Sequence, residues 1–183
     1  VLPSAGNYVE LEQELESRYQ LDEVIIIESD LPESQKFTSQ QIGVAAAEYL
    51  LRTIKDQDVI GVTWGTTIRA MVDVVHPVDT HNVHVVQILG GLGRPESDSY
   101  PGAICSRLAN LLNCSFTMLP SPGVAGSRES KGAFLSDRAV LQALEVIRKV
   151  NVAYVGIGSM SNDSITMQNN VISPEDRDYL IGK

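Results

Sequence analysis

Between Asp58 and Met71 the chain reads Asp-Val-Ile-Gly-Val-Thr-Trp-Gly-Thr-Thr-Ile-Arg-Ala-Met. An apolar run stops at Gly65, two threonines follow, and a helical spacing of apolar residues begins. That order predicts a buried strand, a tight turn and a helix that starts at the turn. The first N–H groups of a helix have no intrahelical acceptor and carry partial positive charge. The chemistry expected here is therefore anion binding, phosphate above all. Gly65 lets backbone approach a ligand, while Thr66 and Thr67 offer hydroxyls and can cap the helix.

Two further glycine turns follow apolar runs: Leu89-Gly90-Gly91-Leu92-Gly93 and Gly156-Ile157-Gly158-Ser159. Ligands of open α/β sheets bind at the carboxyl ends of strands, near the point where the strand order reverses. Three such turns on one edge predict a site rich in amide dipoles and poor in charge, which can hold phosphate even in an acidic chain. Any one of them alone is more simply a turn. The glycines do not have the G-x-G-x-x-G spacing, and no Gly-Lys-Ser/Thr follows, so NAD and ATP are disfavoured and no cofactor is expected.

Groups for proton or metal chemistry are sparse. His76 and His81 fall in the connection before a strand, at the end opposite the glycine turns, and His84 lies within that strand as a structural histidine. Neither a G-x-S-x-G elbow nor an H-E-x-x-H pair is present. Asp163 is the one carboxylate near a strand end that could serve as a base, and it reads more simply as a solvated loop acid. Arg69 and Arg94 could each meet a second phosphate; Arg69, one turn into its helix, reads better as a salt-bridge partner. Cys105 and Cys114 form no Cys-x-x-Cys pair and have no histidine at metal spacing, so they read as free thiols in a reducing compartment. Neither catalytic residues nor a metal site are expected.

The elements that must position these turns alternate along the chain. Residues 8–20 read as an acidic amphipathic helix with Val9, Leu11 and Leu15 inward. Strands are expected at 24–28, 59–63, 83–89, 115–119 and 152–157. Helices are expected from Ser39, as cap, to about Ile54, over 66–75, over 102–112, from Asp137 to Lys149, and from Ser173-Pro174 onward. This alternation predicts an α/β domain: an open, mostly parallel sheet with helices on both faces. Arg94 to Pro101 reads as a polar loop over the strand ends.

With 183 residues, 43% of them hydrophobic and 20% charged, the chain suits one soluble domain. A formal net charge of −9 makes it a poor nucleic-acid binder on its own, because phosphate contacts need clustered Lys and Arg. It has neither a membrane-length apolar stretch nor a signal-peptide pattern, so it is expected to be cytoplasmic.

Taken in order, several segments form a pattern: Leu21-Asp-Glu-Val-Ile-Ile-Ile27, Ile60-Gly-Val-Thr-Trp-Gly-Thr-Thr-Ile-Arg-Ala-Met71, Val86-Gln-Ile-Leu-Gly-Gly-Leu-Gly93, Leu119-Pro-Ser-Pro-Gly123, Val155-Gly-Ile-Gly-Ser159 and Ile172-Ser-Pro-Glu-Asp176. The pattern resembles the effector-binding domain of SorC-type (DeoR-like) bacterial transcriptional regulators over about residues 10–183. The resemblance implies a fold like that of sugar-phosphate isomerases and deaminases. It also implies a phosphorylated sugar as effector, control of DNA binding by the full-length protein, and a homodimer or homotetramer. In that family the Gly-Thr-Thr turn contributes to the phosphate site, here Gly65, Thr66 and Thr67. The residue before the Gly-Gly pair lines the sugar pocket. Some relatives carry arginine there; Leu89 in its place argues against a bisphosphate.

The candidate ligand-binding set is Gly65, Thr66, Thr67, Leu89, Gly90, Gly91, Gly93, Pro122, Gly156, Gly158 and Ser159. The family's helix-turn-helix and its last strands have no counterpart here, so residues 1–183 are expected to be an excised, C-terminally truncated effector domain that reaches DNA only through an absent N-terminal domain. The rival readings are a sugar-phosphate isomerase or deaminase of the same fold and, more weakly, an oligomerisation module. The lack of an acid/base pair beside the phosphate turns favours a sensor over an enzyme.

Overall fold

Four short strands, β1 (Val59–Val62), β2 (His84–Gln87), β3 (Ser115–Thr117) and β4 (Val152–Tyr154), pair in the order β3-β2-β1-β4 in the computed structural model, which describes residues 8–29, 31, 34–91, 101–158, 172 and 174–182. All three pairings are parallel, with Val62 opposite both Gln87 and Tyr154, and His84 opposite Ser115. The chain steps outward from β1 to β2 to β3, then returns to the far side of β1. The order therefore reverses between β1 and β4.

Seven helices are described: α1 (Val9–Tyr19), α2 (Gln35–Thr53), α3 (Thr66–Val74), α4 (Pro101–Leu111), α5 (Arg128–Ser136), α6 (Arg138–Ile147) and α7 (Pro174–Ile181). Strand side chains alternate between faces. Ile60, Val62, Val83 and Val85 pack with Ala47 and Leu50 of α2, Ile68, Met71 and Val72 of α3, and Ile104 and Leu108 of α4. Fully burying a Leu or Met side chain contributes about 1.5–3 kcal/mol, so this aliphatic layer is the main source of stability. The other face carries Gly61 and Val86, with Ile88 and Val150 close to Gly61, and α6 buries Val140 and Ala143. Asp137 caps α6 as expected, accepting from the Ala139 and Val140 amides. Helices thus cover both faces of a parallel sheet, as the alternating pattern predicts.

Three expectations need correction. The run at 24–28 is not a strand: the Val24 amide donates to Glu16 Oε1 at 2.9 Å and the Ile26 amide to Glu12 Oε1 at 2.8 Å. Carboxylates of α1 satisfy those backbone donors in place of a neighbouring strand. That use of α1 also explains why Val9 and Leu11 are exposed rather than inward, with Leu15 half-buried. Second, α2 begins five residues earlier than expected, because Ser34, not Ser39, is its cap and accepts from the Phe37 amide. Third, α5 had no counterpart in the sequence reading. It is held by a capping box in which Ser127 and Ser130 serve each other, with serine in place of the usual acidic partner.

Candidate ligand-binding site

The carboxyl end of β1 runs through Thr63 and Trp64 into Gly65, where φ is +137° and ψ 167°. That backbone region is open essentially to glycine alone. Among the described residues nothing lies within 4 Å of where a Cβ would sit on Gly65, so the glycine is required by conformation, not by packing. The turn delivers α3 with Gly65 as its N-cap and, among the described residues, with no side chain capping the amides. Thr66, Thr67 and Ile68 thus present helix-start N–H groups with no intrahelical acceptor. Thr66 is exposed and Thr67 half-buried.

The threonines therefore do not cap the helix, contrary to expectation. Thr67 Oγ1 instead donates to Ser39 Oγ at 3.3 Å. Ser39, expected as the cap of α2, is a buried residue inside it, 8% exposed. Gly43 explains how the two hydroxyls meet. A Cβ there would lie 2.7 Å from Ala70 C and Met71 N, so α2 and α3 cross at backbone contact. One turn towards each N-terminus from that crossing stand Ser39 and Thr67.

The loop after β4 borders the same turn. The Gly156 amide donates to Thr63 Oγ1 at 3.3 Å, and the Thr63 amide donates to Tyr154 O at 3.1 Å. A Cβ on Gly156 would stand 3.8 Å from Ile68 Cγ1, in ordinary contact, and one on Gly158 would meet no described residue within 4 Å. The start of α3 and residues 156–158 thus flank the reversal between β1 and β4, which is where open α/β sheets bind ligands.

The Gly90-Gly91 turn differs. A Cβ on Gly90 would lie 2.4 Å from Pro122 O. The Gly91 amide donates to Ser121 O at 3.0 Å, and Gly91 O accepts from the Gly123 amide at 2.8 Å. Both backbone groups of Gly91 are thus taken up in extending the β2–β3 pairing as a bridge to Pro122. The turn is joined to the first one by Trp64, whose Nε1–H donates to Gly90 O at 3.0 Å. Leu89 is 38% exposed at this edge. Gly93, Ser159, Asp163 and Arg94 lie outside the described residues.

The remaining polar candidates are structural. Arg69 pairs with Asp73 at 3.2 Å, and Asp73 also meets Arg107 at 2.6 Å. His84 bonds Ser115 Oγ at 2.7 Å and Thr117 Oγ1 at 2.8 Å, and burial lowers its pKa from the ordinary imidazole value. His81 is exposed beside Asp56 at 3.6 Å. Cys105 and Cys114 are free; burial pushes the Cys105 thiol up to about 12 and raises that of Cys114. Among the described residues no group of three or more His, Cys, Asp or Glu side chains could hold a metal, and no helix is long and apolar enough to cross a membrane. Sequence reasoning missed Ser39 as a neighbour of the site. Its signal was the small-residue spacing Ser39-x-x-x-Gly43, which permits a close helix crossing.

The family described as "Putative sugar-binding domain" matches residues 4–182. The chain is similar to the deoxyribonucleoside regulator of Bacillus subtilis (strain 168), at 26% identity over 166 residues, covering 91% of this chain and 53% of that protein. It is likewise similar to the central glycolytic genes regulator of the same organism, at 27% identity, covering 81% of this chain and 43% of that one. The chain spans about half the length of these regulators. Among solved structures, a DeoR family transcriptional regulator from Listeria monocytogenes superposes with a TM-score of 0.83 at 26% identity, covering 96% of this chain and 68% of that one. The full-length sorbitol operon regulator SorC from Klebsiella pneumoniae shares the fold, with a TM-score of 0.83 at 21% identity over 97% of this chain and 58% of that one.

Proposed function

The chain belongs to this family, the sugar-binding domains of SorC/DeoR-type transcriptional regulators, and on that premise we propose that it senses a phosphorylated sugar and thereby controls DNA binding of a longer, homo-oligomeric cytoplasmic regulator. The observation that carries the reading is the Gly65 turn. Its glycine-only backbone, the open space over it and the uncapped start of α3 coincide at the reversal of the strand order. A phosphate monoester supplies acceptors for the amides of Thr66, Thr67 and Ile68 and a negative charge for the helix dipole. The sugar then extends towards Leu89 on one side and residues 156–158 on the other. Leu89 brings no charge for a second phosphate, so a monophosphate fits best. The curated relatives are regulators, which supports sensing rather than turnover.

Thermal shift tests the assignment. Sugar phosphates raise Tm while their unphosphorylated forms do not, the gain at a hundredfold excess over Kd being about 2.7 kcal/mol. Thr66→Pro, tolerated at the first position of a helix, removes one of the helix-start amides and reduces the shift while the domain stays folded. Equal shifts from phosphorylated and free sugars would sink the phosphate assignment. Turnover of ribose 5-phosphate or glucosamine 6-phosphate by the chain would favour an enzyme of this fold instead.

A further inference from the structure

We infer that Gln87 is a specificity residue whose side-chain carbonyl accepts a hydrogen bond from a hydroxyl of the bound phosphate monoester, directly or through one bridging water; this rests on the sugar-phosphate reading above. Gln87 ends β2 on the same sheet face as Val83 and Val85, the face covered by α2, α3 and α4. Its neighbours on that face are apolar, and Gln87 is itself only 2% exposed. Yet its Oε1 is buried with no hydrogen-bond partner among the described residues.

The orientation of the amide is fixed by its other end. Nε2 donates to Leu89 O at 2.7 Å; turning the amide over would set two carbonyl oxygens against each other. The acceptor is therefore left over, at the carboxyl edge of the strand and tied to the turn that holds Leu89. A buried carbonyl without a donor is destabilising relative to an apolar side chain of the same shape. At an edge where a ligand sits, such a group is explained by a donor that arrives with the ligand. Phosphate dianions bring only acceptors, so the donor is a hydroxyl of the carbon skeleton. The turn is already coupled to the phosphate position through the Trp64 bond to Gly90 O.

The test uses the 183-residue chain and calorimetric titration with inorganic phosphate, ribose 5-phosphate, 2-deoxyribose 5-phosphate, fructose 6-phosphate and glucose 6-phosphate. Gln87→Met keeps the shape and removes the acceptor together with the Nε2 donor to Leu89 O, and Gln87→Glu, which loses only the donor, is the control for that second loss. Gln87→Met is expected to leave inorganic phosphate affinity unchanged and to weaken the best sugar phosphate by about tenfold, the loss of one buried hydrogen bond. Equal sugar-phosphate affinity in wild type and Gln87→Met overturns the assignment of Gln87 while leaving the phosphate site standing. If the wild-type chain binds no phosphorylated probe, the underlying reading fails and this inference falls with it. Should Gln87→Met not fold, a crystal structure of the wild-type complex decides. Gln87 Oε1 within hydrogen-bond distance of a ligand hydroxyl, or of a water bound to one, supports the inference; an oxygen still unpartnered overturns it.

Discussion

The turns at Gly65 and Gly90 look alike in the sequence and do opposite work. At Gly65 the glycine is there for its dihedral angle: φ is +137° and a Cβ would meet no described residue within 4 Å. At Gly90 it is there for closeness, with Pro122 O 2.4 Å from an added Cβ. The first turn leaves helix-start amides without intrahelical acceptors. The second has both polar groups of Gly91 tied to the chain around Pro122. A glycine that faces open space leaves its turn accessible, and one that faces backbone makes its turn a structural joint. The Gly65 turn is the phosphate candidate, and the Gly90 turn is a wall beside it.

The contrast can be broken most directly at the wall. Gly90→Ala forces backbone against backbone and should cost about 2–3 kcal/mol as overpacking, read as a lower midpoint in urea. A midpoint equal to wild type would remove the basis for calling this turn packed. Gly65→Ala has room for its methyl but not for its dihedral, and should cost about 1–2 kcal/mol. Here the stability loss is the smaller signal; the response to sugar phosphates should vanish, and retention of that response would move the site elsewhere.

Thr67→Val sharpens the open side. It removes the bond to Ser39, worth about 1 kcal/mol. The same loss is expected for Ser39→Ala, and the double variant should show much less than the sum. Strict additivity in denaturation would mean the two hydroxyls do not act together. The smallest effect belongs to His84, at the amino end of the strand whose carboxyl end forms the wall. Its folded pKa is lowered by burial from 6.5, so the unfolded chain takes the proton first. The stability from neutral His84 is full above about 6.5 and declines as pH falls below it. Melting between pH 7.5 and 5.5 should show that decline, and His84→Gln should flatten it.

What could be read from the sequence follows from how local each signal is. Strand β1, the turn and α3 were legible because Gly65 and the apolar periodicity around it are local. The cap of α6 was legible because Asp137 acts on amides two and three residues away. The segment 24–28 has the composition of a buried strand, but its amides are bonded to Glu12 and Glu16, and composition does not reveal which donor finds which acceptor across eight or more residues. Ser34 and Ser39 are both good caps; the choice between them is made by packing, since Ser39 is buried at the α2–α3 crossing. The same limit hid the difference between Gly65 and Gly90, because Pro122 is more than thirty positions away in the chain.

Trp64 gives the contrast an optical readout. It is the only tryptophan in the chain, it precedes Gly65, and its indole N–H is bonded to the carbonyl of Gly90. Ultraviolet excitation at the red edge therefore selects one fluorophore, half-buried on the seam between the open turn and the wall. A ligand that settles at α3 and presses on the neighbouring turn would change the polarity around that ring or the bond that holds it. The emission maximum and lifetime of this single indole would thus report a ligand at the proposed site without a label, in a chain whose other aromatic residues among Phe, Trp and Tyr are six tyrosines and three phenylalanines.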